Sequence, residues 1–110
     1  NKDDLFRIRK EMEIDAQELR GIMAKPKFKK HWGSLQGEEV KTAPKGFSKE
    51  HADIDLIKKK QYIFLKKFSD KEVLAPDFQK EIVTHFEAIR PFFDYMSSIL
   101  TTDLNGVSLL

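Results

Sequence analysis

The sequence predicts an α+β domain that is predominantly helical, with a small β-sheet and a long C-terminal helix, kinked or split into a helix pair. Three observations predict it. Apolar residues recur at helical spacing toward both ends of the chain, an alternating apolar run occupies residues 61–68, and Gly33, Gly37, Pro44 and Gly46 punctuate the stretch between them. With 110 residues, 40% of them hydrophobic and 35% charged, the chain fits one ordered domain spanning 1–110.

The elements follow in order. Asp3 and Asp4 precede Leu5, Ile8 and Met12, whose 3 and 4 spacing gives one helical stripe with acids at its favourable end. Asp15-Ala16-Gln17-Glu18 reads as a capping box, so the helix breaks near Ile14 and restarts at Ala16, with Leu19, Ile22 and Met23 inward. Pro26 to Trp32 forms a further short helix, stopped by Gly33. Residues 33–48 are loop with at most one strand at Glu39–Thr42, and Ala43-Pro44-Lys45-Gly46 suits a type I turn. Ser48 is placed to cap a helix that carries Ile54 and Ile57 and ends near Lys60. Gln61 to Phe68 reads as an internal strand buried on both faces. Ser69 to Glu72 is a second capping signature, and Pro76 ends that turn. From Asp77 the seam Phe78, Ile82, Phe86, Ile89, Phe93, Met96, Leu100 runs through Pro91, with Asn105-Gly106 closing it. The predicted core is Phe64, Phe78, Ile82, Phe86, Ile89 and Phe93.

Composition sets the function classes. There is no cysteine, which removes disulfides, thiolate nucleophiles and thiolate metal cages, and favours a reducing, cytoplasmic setting. The longest apolar runs, such as Tyr62 to Leu65, fall far short of the roughly 18 residues a membrane span needs. The chain opens on Asn1 without a leader pattern, which suggests a piece of something longer. The net charge of +2 hides an asymmetry: residues 20–67 carry 13 basic and 5 acidic groups, net +8, whereas residues 70–110 carry 3 and 7, net −4.

A family resemblance rests on the string Leu35…Gly37…Val40-Lys41-Thr42-Ala43-Pro44-Lys45-Gly46-Phe47…His51…Ile54-Asp55-Leu56…Lys58…Lys60. Asp70…Glu72-Val73-Leu74…Pro76-Asp77-Phe78, Phe6-Arg7-Ile8-Arg9-Lys10 and Phe86…Ile89…Pro91 extend it. The chain resembles the C-terminal half of the domain-of-unknown-function 2461 family. The resemblance implies a widespread uncharacterised protein with an α+β fold and no established reaction, and an N-terminal half of the same protein as a partner.

Four loci carry chemistry. The turn of Lys41, Lys45, Gly46 and Ser48 combines ammonium groups with helix-start amides, which suits a phosphate or carboxylate. His51 and Asp55, at i and i+4 with Asp53 between them, could form an acid–base pair, completed by groups from elsewhere; two ligands do not make a metal site, even with His31 or His85 elsewhere in the chain. Lys25 to Trp32 and Lys58 to Tyr62 interleave lysines with aromatics, but Tyr62 to Phe68 lack the RNA-recognition pattern, which argues against nucleic acid. The C-terminal seam offers a surface for self-association. No cofactor fingerprint is present. The residues therefore favour a non-catalytic binding module with an anion site at the Lys41–Ser48 turn; the alternative is a hydrolase-like enzyme using His51 and Asp55 with residues absent from this chain.

Overall fold

A computed structural model of the chain describes residues 2–103, 105 and 107–109. Among them six helices form: α1 (Lys2–Ile14), α2 (Gln17–Ala24), α3 (Pro26–Trp32), α4 (Ile54–Ile57), α5 (Asp70–Val73) and α6 (Phe78–Leu100). The local signals account for their limits. Asp15 accepts from the Gln17 amide at 2.9 Å between α1 and α2, Pro26 opens α3 at its first turn, and Gly33 at φ 69 closes it. Ser69 and Glu72 form a reciprocal capping box at the start of α5. Gly106 of the predicted closing turn lies outside the described residues.

The expected sheet does not form, and the fold is mostly helical rather than α+β. Among the described residues there are isolated antiparallel bridges at Gln36–Ile63, Glu39–Lys59 and Thr102–Ser108. The first two cannot join into one ladder, because 36 pairs with 63 whereas 39 pairs with 59, and the register slips by one between them. Gly37 sits at the slip with φ 116, and a Cβ there would clash with the Gln61 carbonyl oxygen. Residues 61–68 therefore run extended and mostly unpaired. Phe64 is buried, Tyr62 packs against the core, and Ile63 and Leu65 face outward, so burial falls on one face and not both.

One apolar cluster holds the chain together. Met12, Leu19, Phe28 and Ile57 are sealed from solvent, and α6 packs across α1, α2 and α3 while α4 sits on α1. Phe28, Phe64 and Phe92 stack edge to face at 4.9 and 5.0 Å, tying α3, the 61–68 segment and α6 into that cluster. Phe47, from the Pro-Gly turn, meets Phe6 of α1 at 5.9 Å with the Lys10 ammonium 5.3 Å from its ring centre.

Helix α6 is a single helix of 23 residues that contains Pro91, and not a pair of helices. Pro91 cannot donate to the Glu87 carbonyl, and Glu87 lies on the solvent side, where water can take that bond. The buried face of α6 is also turned from the predicted seam. His85, Ala88, Phe92, Tyr95 and Ile99 face the core with Ile89, whereas Phe86 is 60% and Phe93 54% exposed. A step of one residue rotates the face by about 100°. Small Ala88 and His85 let α3 approach closely, an advantage that a seam read from the largest apolar side chains overlooks.

The stability consequence is direct. Phe28→Ala should lower stability by about 3–5 kcal/mol through lost transfer energy and a cavity, whereas Phe86→Ala should change it by less than about 1 kcal/mol. Urea midpoints of the two variants against the parent protein measure the contrast.

Candidate functional site

The segment from Ser48 to Ile57 brings three charged side chains of the site together. His51 works as a joint: its Nε2–H donates to the Glu13 carbonyl at the end of α1 (3.0 Å), and its Nδ1 accepts from the Asp53 amide (3.0 Å). Both ring nitrogens are thereby used, and the bonding partners fix the Nε2–H tautomer. The turn this creates presents Asp53 and Asp55 to Arg20 of α2. Arg20 Nε donates to Asp53 Oδ1 at 2.9 Å and Nη2 to Asp55 Oδ1 at 2.7 Å. The Asp55 bond in particular holds the guanidinium pKa above its already high value, against some loss from burial. His51 and Asp55 are consequently engaged with different partners, and the acid–base pair suggested by their spacing is not formed.

Beside this clamp lies a groove of about 590 Å³. Met23, Leu35 and Leu56 give it an apolar floor, and Gly33 and Ser34 form one wall. Its charged lining is Arg20, Lys29, Lys59 and Asp55; Arg20 is held by Asp53 and Asp55 and Lys59 by Glu39, which leaves the exposed Lys29 as the cation with no acidic partner among the described residues. Lys59 is loosely engaged, with its ammonium 3.4 Å from the Gly37 carbonyl and 3.6 Å from Glu39. The sequence marked Lys29 and Lys59 within the basic strips 25–32 and 58–62, but neither their convergence with Arg20 nor the apolar residues between them is visible in a local pattern.

The Lys41–Ser48 turn is arranged differently from the expectation. Helix α4 begins at Ile54, so Ser48 caps no helix; its hydroxyl accepts from the Glu50 amide at 3.1 Å within a turn. The Phe47 amide is bonded to the Pro44 carbonyl and the His51 amide to the Ser48 carbonyl. Three amides that could have cradled an anion are thus used by the chain itself. Lys41 and Lys45 are exposed, Pro44 is buried, and Gly46 takes φ 89.

The basic aromatic strip is also rearranged by folding. Phe28 enters the core, Trp32 Nε1 donates to the His85 carbonyl at 2.7 Å, and the Tyr62 hydroxyl donates to the Leu56 carbonyl. The rings are committed to packing while Lys25, Lys27, Lys29 and Lys30 remain exposed. His31 and His85 meet edge to face at 4.5 Å between α3 and α6, and His85 Nδ1–H donates to the Glu81 carbonyl at 2.7 Å. Among the described residues no group of three or more His, Cys, Asp or Glu side chains is placed to hold a metal ion. Among the described residues no helix is long and apolar enough to cross a membrane.

The scaffold is helical, with a partly buried histidine joint at His51 and a groove lined by Arg20, Lys29, Lys59 and Asp55 around Met23, Leu35 and Leu56. The family model described as "Conserved hypothetical protein (DUF2461)" matches residues 1–95, and the chain belongs to that family. No curated protein and no solved structure matches the chain.

The histidine contact makes stability sensitive to acid. Partial burial, with His85 and Lys30 alongside, lowers the His31 pKa below its ordinary value, and Glu81 offsets only part of this. The unfolded chain then binds the proton first, so stability is kept above about pH 6.5 and falls as pH drops through the depressed value. His31→Gln should flatten that part of the urea-midpoint profile between about pH 7 and 5; an unchanged slope would remove His31 as its source.

Proposed function

We propose that the chain is a non-catalytic binding module for a small amphipathic anion, held in the groove between α2, α3 and residues 55–59. The carrying observation is the pairing of an apolar floor, Met23, Leu35 and Leu56, with a rim of Lys29, Lys59 and Arg20. Lysine ammonium groups attract an anionic head, and the floor accepts the apolar remainder. The Arg20–Asp53–Asp55 clamp keeps the rim rigid, which lowers the ordering cost of binding.

The Lys41, Lys45, Gly46 and Ser48 turn is the second locus for an anion in this reading. Its support is reduced to the two side-chain charges, because the neighbouring amides serve the turn. A hydrolase-like use of His51 and Asp55 draws no support from their separate engagements. Two further proposals rest on the sequence: a cytoplasmic location, from the absence of cysteine, and a correspondence to the C-terminal half of the family's domain, from the string Leu35 to Lys60.

Phenyl phosphate, titrated at constant ionic strength against inorganic phosphate and chloride, separates the loci. It should raise the melting temperature of the parent chain and of Lys41→Gln/Lys45→Gln, and leave Lys29→Gln/Lys59→Gln unmoved. Loss of the effect in the first pair alone would move the site to the turn. An equal rise in all three proteins would contradict a specific anion site.

A further inference from the structure

Helix α6 carries a second apolar face that the other described residues leave largely exposed, with Phe93 and Leu100 bordering a groove shared with Leu5 and Ile8 of α1. Val83, Phe86 and Phe93 are each more than half exposed, Leu100 is 37% exposed, and with Arg90 and Ser97 they recur at steps of 3 and 4 from 83 to 100. That is the spacing of a helix–helix seam, lying one residue round from the seam that packs on α1, α2 and α3. The chain is also open in shape. Its radius of gyration is 16.0 Å, where about 13 Å is usual for a compact chain of this length.

We infer that this face pairs with the same face of a second copy, the two α6 helices lying antiparallel about a two-fold axis that crosses the exposed face at the level of residue 88. The charges on the face argue for a copy of itself. Val83, Phe86, Phe93, Glu87 and Arg90 together line one groove of about 330 Å³. In the single chain, among the described residues, Arg90 reaches only Asp94, at 3.8 Å, with both side chains largely exposed. With the axis at residue 88, position 83 lies opposite 93 and position 86 opposite 90, since each pair sums to 176. Val83 then packs on the second copy's Phe93, and Arg90 lies over the second copy's Phe86 within reach of its Glu87. The symmetry repeats both contacts, so every apolar residue of the groove gains a partner and each exposed cation meets an aromatic face and a carboxylate. A lone Arg90 in the seam would oppose a wholly apolar partner; it is satisfied by a partner carrying an aromatic and an acid at the matching positions, and this helix supplies both.

Sedimentation equilibrium of the 110-residue chain from about 1 μM to about 1 mM reads the association. The mass should rise from 12.8 kDa toward twice that value. Arg90→Glu and Glu87→Arg should each raise the dissociation constant at least about tenfold, and the double reversal should restore it to within about threefold of the parent. Circular dichroism should be unchanged throughout, because both positions are exposed. Since the chain lacks cysteine, mixing Val83→Cys with Phe93→Cys chains under oxidation reports orientation: the mixed disulfide should dominate. A mass fixed at 12.8 kDa across the range, an association indifferent to both charge reversals, or dominance of the 83–83 disulfide would each overturn the inference.

Discussion

Residues 33–69 lack the continuous ladder a sheet would supply, so their carbonyls need donors from elsewhere, and the helices provide them through side chains. Arg9 of α1 is central to this. Its Nε donates to the Ile57 carbonyl and its Nη2 to the Lys59 carbonyl, both at 2.9 Å, serving the C-terminal end of α4 as a cap would. The Tyr62 hydroxyl does the same for Leu56, and His51 ties the far end of the segment to the Glu13 carbonyl. Around these anchors the short backbone bonds Val40–Lys58 and Lys60–Glu38 can form without a sheet.

This stitching sets where the candidate groove lies. Fixing residues 57 and 59 on α1 leaves Asp55 pointing at Arg20 and Lys59 at the groove, with Leu56 buried beneath. The groove therefore belongs jointly to α2, α3 and the irregular segment. Helix α6 supports it from behind through the Phe28–Phe64–Phe92 stack while leaving its own outer face bare. The two features are independent, since the groove faces the α2–α3 side and the bare stripe belongs to α6 alone.

Local signals place several helix limits but not all: Ser48 caps no helix, and the reciprocal box expected at Asp15–Glu18 is reduced to Asp15 accepting from the Gln17 amide. Asp15, Pro26, Gly33 and the Ser69–Glu72 box act within one turn of where they stand, and the structure uses each of them there or nearly so. Long-range outcomes were not legible in the same way. Alternation at 61–68 records one buried face, and whether a partner strand exists depends on the slip at Gly37, well before it in the chain. On α6 two apolar faces compete, and the larger residues, Phe86 and Phe93, mark the one left outside. His51 reads as half of an acid–base pair because a histidine near two aspartates has the same spacing whether it catalyses or joins two segments. Only the Glu13 carbonyl, distant in sequence, distinguishes the last.

The dependence of the irregular segment on α1 is tested most directly by amide hydrogen exchange in Arg9→Met, which keeps an aliphatic stem and removes the donors. The amides of Val40 and Lys60 should exchange at least about tenfold faster, while those of α6 from Ile89 to Tyr95 keep their protection. Unchanged exchange at Val40 and Lys60, or an equal loss of protection along α6, would contradict the account.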